Sequence, residues 1–129
     1  MENHINLNHQ INVRVSPKHE KNKLVPGAKH VFSYSVTILN NSIEEIQLTR
    51  RHWFITDRVL GIREVEGEGV IGEKPIILPG CSFTYESWCP IAENYGSMSG
   101  YFTFIILRTG ETGYANIDTF LLIPQECLN

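Results

Sequence analysis

The chain has 129 residues, 42% of them hydrophobic and 19% charged, the size and balance of one globular domain with a single core, which excludes disordered, fibrous and collagen-like classes. A formal net charge of -3 offers no broad positive field to a phosphate backbone, so nucleic-acid binding is not expected. The three cysteines, Cys81, Cys89 and Cys127, are odd in number and lack metal-ligand spacing, so they read as reduced packing thiols of a cytoplasmic protein.

The amino-terminal residues Met1-Glu2-Asn3-His4 are polar with no apolar leader core after them. The longest apolar run, Phe104 to Leu107, is far shorter than a membrane span, so no membrane insertion is expected. From Ile5 to Val15 the apolar residues Ile5, Leu7, Ile11, Val13 and Val15 repeat with a period of two, which predicts a first strand. Ser16 to Gly27, lysine-rich with Pro17 and Pro26, reads as a loop. His30 to Asn40 alternates Phe32, Tyr34, Val36 and Ile38 against Ser33, Ser35 and Thr37, the pattern of a half-buried antiparallel strand. Ser42-x-x-Glu45 resembles a capping box and Ile43 with Ile46 has helical spacing, but too few apolar residues follow at that period to sustain a helix, so a turn is expected.

In the next strand, about Ile46 to Thr56, Ile46 and Leu48 sit at even positions, whereas Trp53 and Ile55 sit at odd ones. Strand faces alternate strictly, so the switch predicts a bulge within Thr49-Arg50-Arg51-His52. Ile62 to Glu68 places Glu64, Glu66 and Glu68 on one face and Val65 on the other. Pro75, Pro79 and Gly80 bracket Ile76-Ile77-Leu78 as a short edge segment. Ser82 to Cys89 turns Phe83 and Tyr85 inward, and Pro90 to Gly100 reads as a loop. Tyr101 to Leu107 is apolar on both faces, as a covered central strand would be. Thr109 to Gly113 is a hairpin connection, and Ala115, Ile117, Leu121 and Ile123 give the buried face of the returning strand. Seven or eight strands without crossover helices predict an all-β immunoglobulin-like or fibronectin type III-like sandwich of two antiparallel sheets, one domain over 1–129 with its core at about 5–124.

Gly67-x-Gly69-x-x-Gly72 has the spacing of a dinucleotide-binding loop. In that setting the loop opens a helix whose amide groups hold pyrophosphate, whereas here Pro75 and Pro79 follow, and Glu66, Glu68 and Glu73 would repel a phosphate. The motif reads as a turn with glycines at positive φ or close backbone approach; the competing reading is an anion nest helped by Arg50, Arg51, His52 or Lys74. The row Glu64, Glu66, Glu68 reads as a solvated face, because residues two apart on a strand do not wrap a hard cation, and no metal or other cofactor is expected. Cys89 with His52 or His30, and Ser97 or Ser99, form no catalytic motif, and the chain reads as non-enzymatic.

The blocks Arg51-His52-Trp53-x-Ile55-x-Asp57, Glu64-Val65-x-Gly67-x-Gly69-Val70-Ile71-Gly72-Glu73-x-Pro75, Leu78-Pro79-Gly80-x-x-Phe83-x-Tyr85-x-Ser87 and Gly96-x-Met98-x-Gly100 resemble the ApaG family in order and spacing. The resemblance implies a fibronectin type III-like sandwich, a small cytosolic bacterial protein and a homodimer. It also implies a kinship with interaction modules of larger eukaryotic proteins, a link by name to cobalt and magnesium efflux, and suggested pyrophosphate binding at the glycine motif. Trp88 before Cys89, Glu86, and the carboxyl end Ile123-Pro124-Gln125-Glu126-Cys127 depart from the family pattern. The expected partner is another protein or a second copy of the chain; the alternative is a phosphate-containing small molecule.

Overall fold

The computed structural model of the chain describes residues 6–57, 61–124 and 127. Eight strands are present among them: β1 (Ile11–His19), β2 (His30–Asn40), β3 (Ile46–Asp57), β4 (Gly61–Glu68), β5 (Ile76–Ile77), β6 (Ser82–Ile91), β7 (Gly96–Ile106) and β8 (Thr112–Leu122). They form an immunoglobulin-like, fibronectin type III-like sandwich. One sheet has the order β1-β2-β6, the other β4-β3-β7-β8 with β5 also on β3, and every pairing is antiparallel. No described helix is long and apolar enough to cross a membrane.

The core is one cluster of inward side chains from both sheets, with Phe32, Val36, Ile38, Ile46, Leu48, Phe102, Phe104 and Ile117 among its members. Alternation builds it, since period-two sequences can present a single apolar face to the facing sheet. The expected bulge sits at Thr49: Leu48 faces Phe104, yet Arg50 already faces Thr103. The extra residue turns Arg51, Trp53, Ile55 and Asp57 inward and Arg50 and His52 outward.

Several expectations change. The first strand begins at Ile11, and Ile5 lies outside the described residues. It continues through Ser16 to His19, where a loop was expected; β1 is an edge strand, and there Pro17 can stand without breaking a ladder. The expected loop from Pro90 to Gly100 shrinks to 92–95, because β6 runs to Ile91 and β7 starts at Gly96. In β8 the buried face is Gly113, Ala115, Ile117 and then Leu122, with Leu121 exposed. A second register shift, between Met98 and Gly100 on β7, reverses the parity after Ile117. Of the three cysteines only Cys89 is buried; Cys81 and Cys127 are exposed and all three are free thiols. The outer face of β7 is half-buried by in-sheet neighbours rather than by a third layer, as where Tyr101 stacks on His52.

The two sides of the sandwich differ. On one, β1 packs against β8 and the Tyr114 amide donates to Asn8 Oδ1 at 3.0 Å. On the other, the edge strands β4 and β6 face one another, joined near one end by Arg63 Nη2 donating to the Pro90 carbonyl at 3.0 Å.

Candidate functional site

The glycine motif is a turn whose backbone is largely committed to itself. Gly69 N–H donates to the Thr49 carbonyl at 2.7 Å, which uses the oxygen of the bulged residue. Val70 and Glu73 exchange N–H to carbonyl bonds at 2.7 and 3.0 Å, closing a two-residue hairpin with Ile71 and Gly72 at its tip. Both tip residues have positive φ, 49° and 75°, the type I′ pattern that favours Asn-Gly. Gly69 also has positive φ, and a Cβ there would lie 2.3 Å from the Glu73 carbonyl oxygen. Gly67 serves a different end: a Cβ there would stand 3.0 to 3.2 Å from the Arg51 guanidinium.

Arg51 explains that vacancy. Its Nη1 donates to the carbonyls of Glu68 and Gly69 at 3.0 and 3.2 Å, so the loop seats an arginine beneath it. The other expected anion-binding side chains lie elsewhere. Arg50 Nη1 is 4.0 Å and Lys74 Nζ 3.5 Å from Glu68, both on the loop's exterior. His52 lies on the outer sheet face, stacked on Tyr101 with ring centroids 5.0 Å apart, its Nδ1 3.0 Å from Glu66 and its Nε2 3.7 Å from Glu64. Gly67, Gly69 and Arg51 therefore come together; Arg50 and Lys74 instead lie against Glu68, His52 lies against Glu66 and Glu64, and Gly72 marks the hairpin tip. The acidic row is accordingly a paired outer face.

Cys89 does not meet His52, which stands on the outer face of the opposite sheet. Burial pushes the Cys89 thiol above its ordinary value, with the nearby Arg63 opposing the shift, so it is not a thiolate nucleophile near neutral pH.

What Arg51 does face is a cavity of about 240 Å³ between the two sheets. Tyr34, Tyr85, Ser87, Trp53 and Met98 line it from the core, and Val65, Ile71 and Trp88 from the rim. The rim is apolar and open: Val65 is 41%, Ile71 60% and Trp88 51% exposed, with Lys23 Nζ 5.0 Å above the Trp88 ring. Tyr85 is 7% exposed, and its buried hydroxyl has no hydrogen-bond partner among the described residues. The Trp53 indole nitrogen is close enough to favour the phenolate slightly, but the pair does not meet hydrogen-bond geometry. Burial raises the pKa of both Tyr34 and Tyr85, with nearby Ser87 opposing the shift at Tyr34 and Arg51 acting weakly the other way on both.

Of the cavity residues, Tyr34, Trp53 and Tyr85 read from the sequence as inward-facing, Trp88 as a departure from pattern, Val65 as the face opposite the glutamates, and Ile71, Ser87 and Met98 only as members of the family blocks. The available signal was the polar tip on two inward tyrosines. Their strands are paired so that Tyr34 faces Ser87 and Val36 faces Tyr85.

The ApaG domain description matches residues 20–106. The chain belongs to the ApaG family. It is 40% identical over 113 residues to Protein ApaG of Methylorubrum populi, covering 87% of this chain and 86% of that one. It is 42% identical over 100 residues to Protein ApaG of Bdellovibrio bacteriovorus, covering 78% of each. Among solved structures, an X-ray structure from the Northeast Structural Genomics Consortium superposes with a TM-score of 0.86 at 33% identity, covering 95% of this chain and 93% of that one. The crystal structure of an ApaA protein from Bordetella pertussis gives 0.82 at 34% identity, covering 89% and 94%. The fold and the family thus agree with the blocks around Arg51 and the glycine motif.

Proposed function

We propose that this ApaG-family chain is a non-enzymatic binding module that engages another protein along the open side between β4 and β6. The observation that carries this reading is the cavity of about 240 Å³ rimmed by exposed Val65, Ile71 and Trp88, on the side where, among the described residues, the sheets end in β4 and β6 with one edge of each unpaired. Exposed apolar residues gathered around a concavity mark interaction sites more than scattered ones do. Free strand edges add main-chain donors and acceptors that a partner strand can use.

The alternative of pyrophosphate or a nucleotide on the glycine motif has no comparable support. The Gly69, Val70 and Glu73 amides are bonded within the fold, and Arg50 and Lys74 already serve Glu68. A cavity of about 240 Å³ is also below the roughly 300–1,000 Å³ of pockets for drug-sized ligands, too small for a nucleotide.

The test is site-specific photo-crosslinking in cells, with the reactive residue placed at Val65, at Trp88, or at exposed Arg14 on β1 as a control. A common protein product from 65 and 88 that is absent from 14 supports the reading. Crosslinks of equal strength from position 14, or none from 65 and 88, overturn it. If the product is the chain itself, sedimentation should show a concentration-dependent dimer.

A further inference from the structure

We infer that the cleft takes the free C-terminal carboxylate of a partner protein whose last side chain is apolar. This rests on the binding-module reading and names what the module recognises.

The argument starts from charge. Arg50 and Lys74 lie within 4.0 Å of Glu68, and Arg108 grips Glu44. Arg51 has no carboxylate partner among the described residues, although its guanidinium is partly buried at the cavity wall. Its Nη1 is fixed by two loop carbonyls, so the fork is held rigidly while Nε and Nη2 make no hydrogen bond among the described residues. A guanidinium matches a carboxylate with paired donors. One such group balances a monoanion. A phosphate dianion would leave a charge uncompensated, because Arg51 is the one charged side chain among the described residues that line the cavity.

The hydroxyls point the same way. Tyr85 is more than nine-tenths buried with an unpartnered hydroxyl at the cavity, and Tyr34 and Ser87 stand beside it. Both phenols stay protonated near neutral pH and so can donate to an acceptor. Around these donors the lining is Trp53, Ile55, Val65, Ile71, Trp88 and Met98, which suits one apolar side chain. The volume suits it too, being too small for a larger ligand.

The chain preceding that terminal residue has a place to run. The outer edge of β6 is unpaired among the described residues, and β6 carries one carboxylate, Glu86, where β4 carries Glu64, Glu66 and Glu68. An extended segment would add to β6 by main-chain hydrogen bonds while its last residue turns into the cavity.

Both tryptophans of the chain, Trp53 and Trp88, line the cavity, so intrinsic fluorescence reads its occupancy directly. The probes are the acetylated peptide Gly-Ser-Thr-Val-Leu as free acid and as C-terminal amide, N-acetyl-leucine, and inorganic pyrophosphate. The acid should give a saturable change, the amide should bind about tenfold or more weakly, and Arg51→Gln should remove the difference between them. Tyr85→Phe, which deletes an unpartnered hydroxyl and leaves the fold intact, should weaken the acid selectively. Equal binding of acid and amide overturns the carboxylate while leaving the module reading to the crosslinking result. N-acetyl-leucine as tight as the peptide overturns the protein terminus in favour of a small acid. Pyrophosphate binding in place of the peptide, or no fluorescence response to the acid at millimolar concentration, overturns the inference outright.

Discussion

Substituting alanine separately at Gly69 and Gly67 distinguishes a backbone role from a space-making one within a single motif. At Gly69 the φ of 69° is left-handed and the new Cβ would stand 2.3 Å from a backbone oxygen, that of Glu73. The left-handed conformation costs an L-residue roughly 1–2 kcal/mol, and a core-like overlap with unyielding backbone adds about 1–3 kcal/mol. A loss of about 2–5 kcal/mol follows. At Gly67 there is no positive φ, and the neighbours at 3.0 to 3.2 Å are the far end of the Arg51 side chain. Removing glycine from a strand returns about 0.5–1 kcal/mol, while loosening two Arg51 hydrogen bonds to carbonyls costs about 0.5–1.5 kcal/mol each. The net loss is at most about 2.5 kcal/mol. Urea unfolding followed by tryptophan fluorescence measures both, with m of about 1–3 kcal/mol/M. Gly69→Ala should lower the midpoint by about 1 M or more, more than Gly67→Ala does, whereas discrimination between the acid and amide peptides should be damaged by Gly67→Ala even where stability is kept. Equal midpoints, or a larger drop at Gly67, would refute the division of roles.

Three further outcomes are expected. Ile71→Asn exchanges a β-branched residue at φ 49° for one that tolerates that region, a relief of roughly 1–2 kcal/mol against about 1 kcal/mol for the part of the isoleucine that is buried. Stability should hold or rise slightly in urea unfolding while peptide binding weakens, and a loss above about 1 kcal/mol would contradict the strain reading. Asn40→Ala removes a fully buried amide that donates to the Glu44 and Ile77 carbonyls at 2.7 and 2.9 Å and accepts from the Ser42 N–H and hydroxyl at 2.9 and 2.6 Å. With buried acceptors orphaned at about 1–3 kcal/mol each, thermal unfolding should show one of the largest losses of any polar substitution. Arg108 holds the Glu44 carboxyl below its ordinary 4.5 through hydrogen bonds at 2.6 to 3.1 Å. A depressed carboxylate pKa gives stability that is present above the unfolded value and lost as the pH falls through the folded one. The Arg108→Gln deficit should therefore be seen at pH 7 and vanish in acid below the folded Glu44 value; a deficit independent of pH would mean that packing, not charge, is the contribution.

Strand periodicity carried the architecture because each sheet is covered on one face only, so Phe32 to Ile38 could alternate cleanly. It also located the bulge, since Leu48 and Trp53 cannot share a face without an extra residue between them. The same logic missed the second shift in β8, where Leu121, Leu122 and Ile123 are all apolar and leave parity undefined; the neighbouring strand decides the matter there. Pro17 misled for a related reason. Proline forbids a ladder bond only on the side where its nitrogen must donate, and edge position is a tertiary fact. At the site, sequence named Arg51 together with Arg50, His52 and Lys74 but could not separate it from them, because one residue of register decides which of the neighbouring β3 side chains enters the sandwich. The cavity was invisible for a deeper reason: its volume depends on how far apart two sheets stand, and no local pattern encodes that distance.

The bulge, the glycines and the arginine form one causal sequence. Thr49, the inserted residue, sends Arg51 inward and frees a carbonyl for the Gly69 amide. Gly69 closes the hairpin, which sets the carbonyls of Glu68 and Gly69 where Arg51 Nη1 can donate to them. Gly67, without a side chain, leaves room for the guanidinium. A dinucleotide loop aims amide donors outward at a ligand, whereas this one aims carbonyls inward at a cation. The anion, if one binds, meets the arginine that the loop has positioned and not the loop itself.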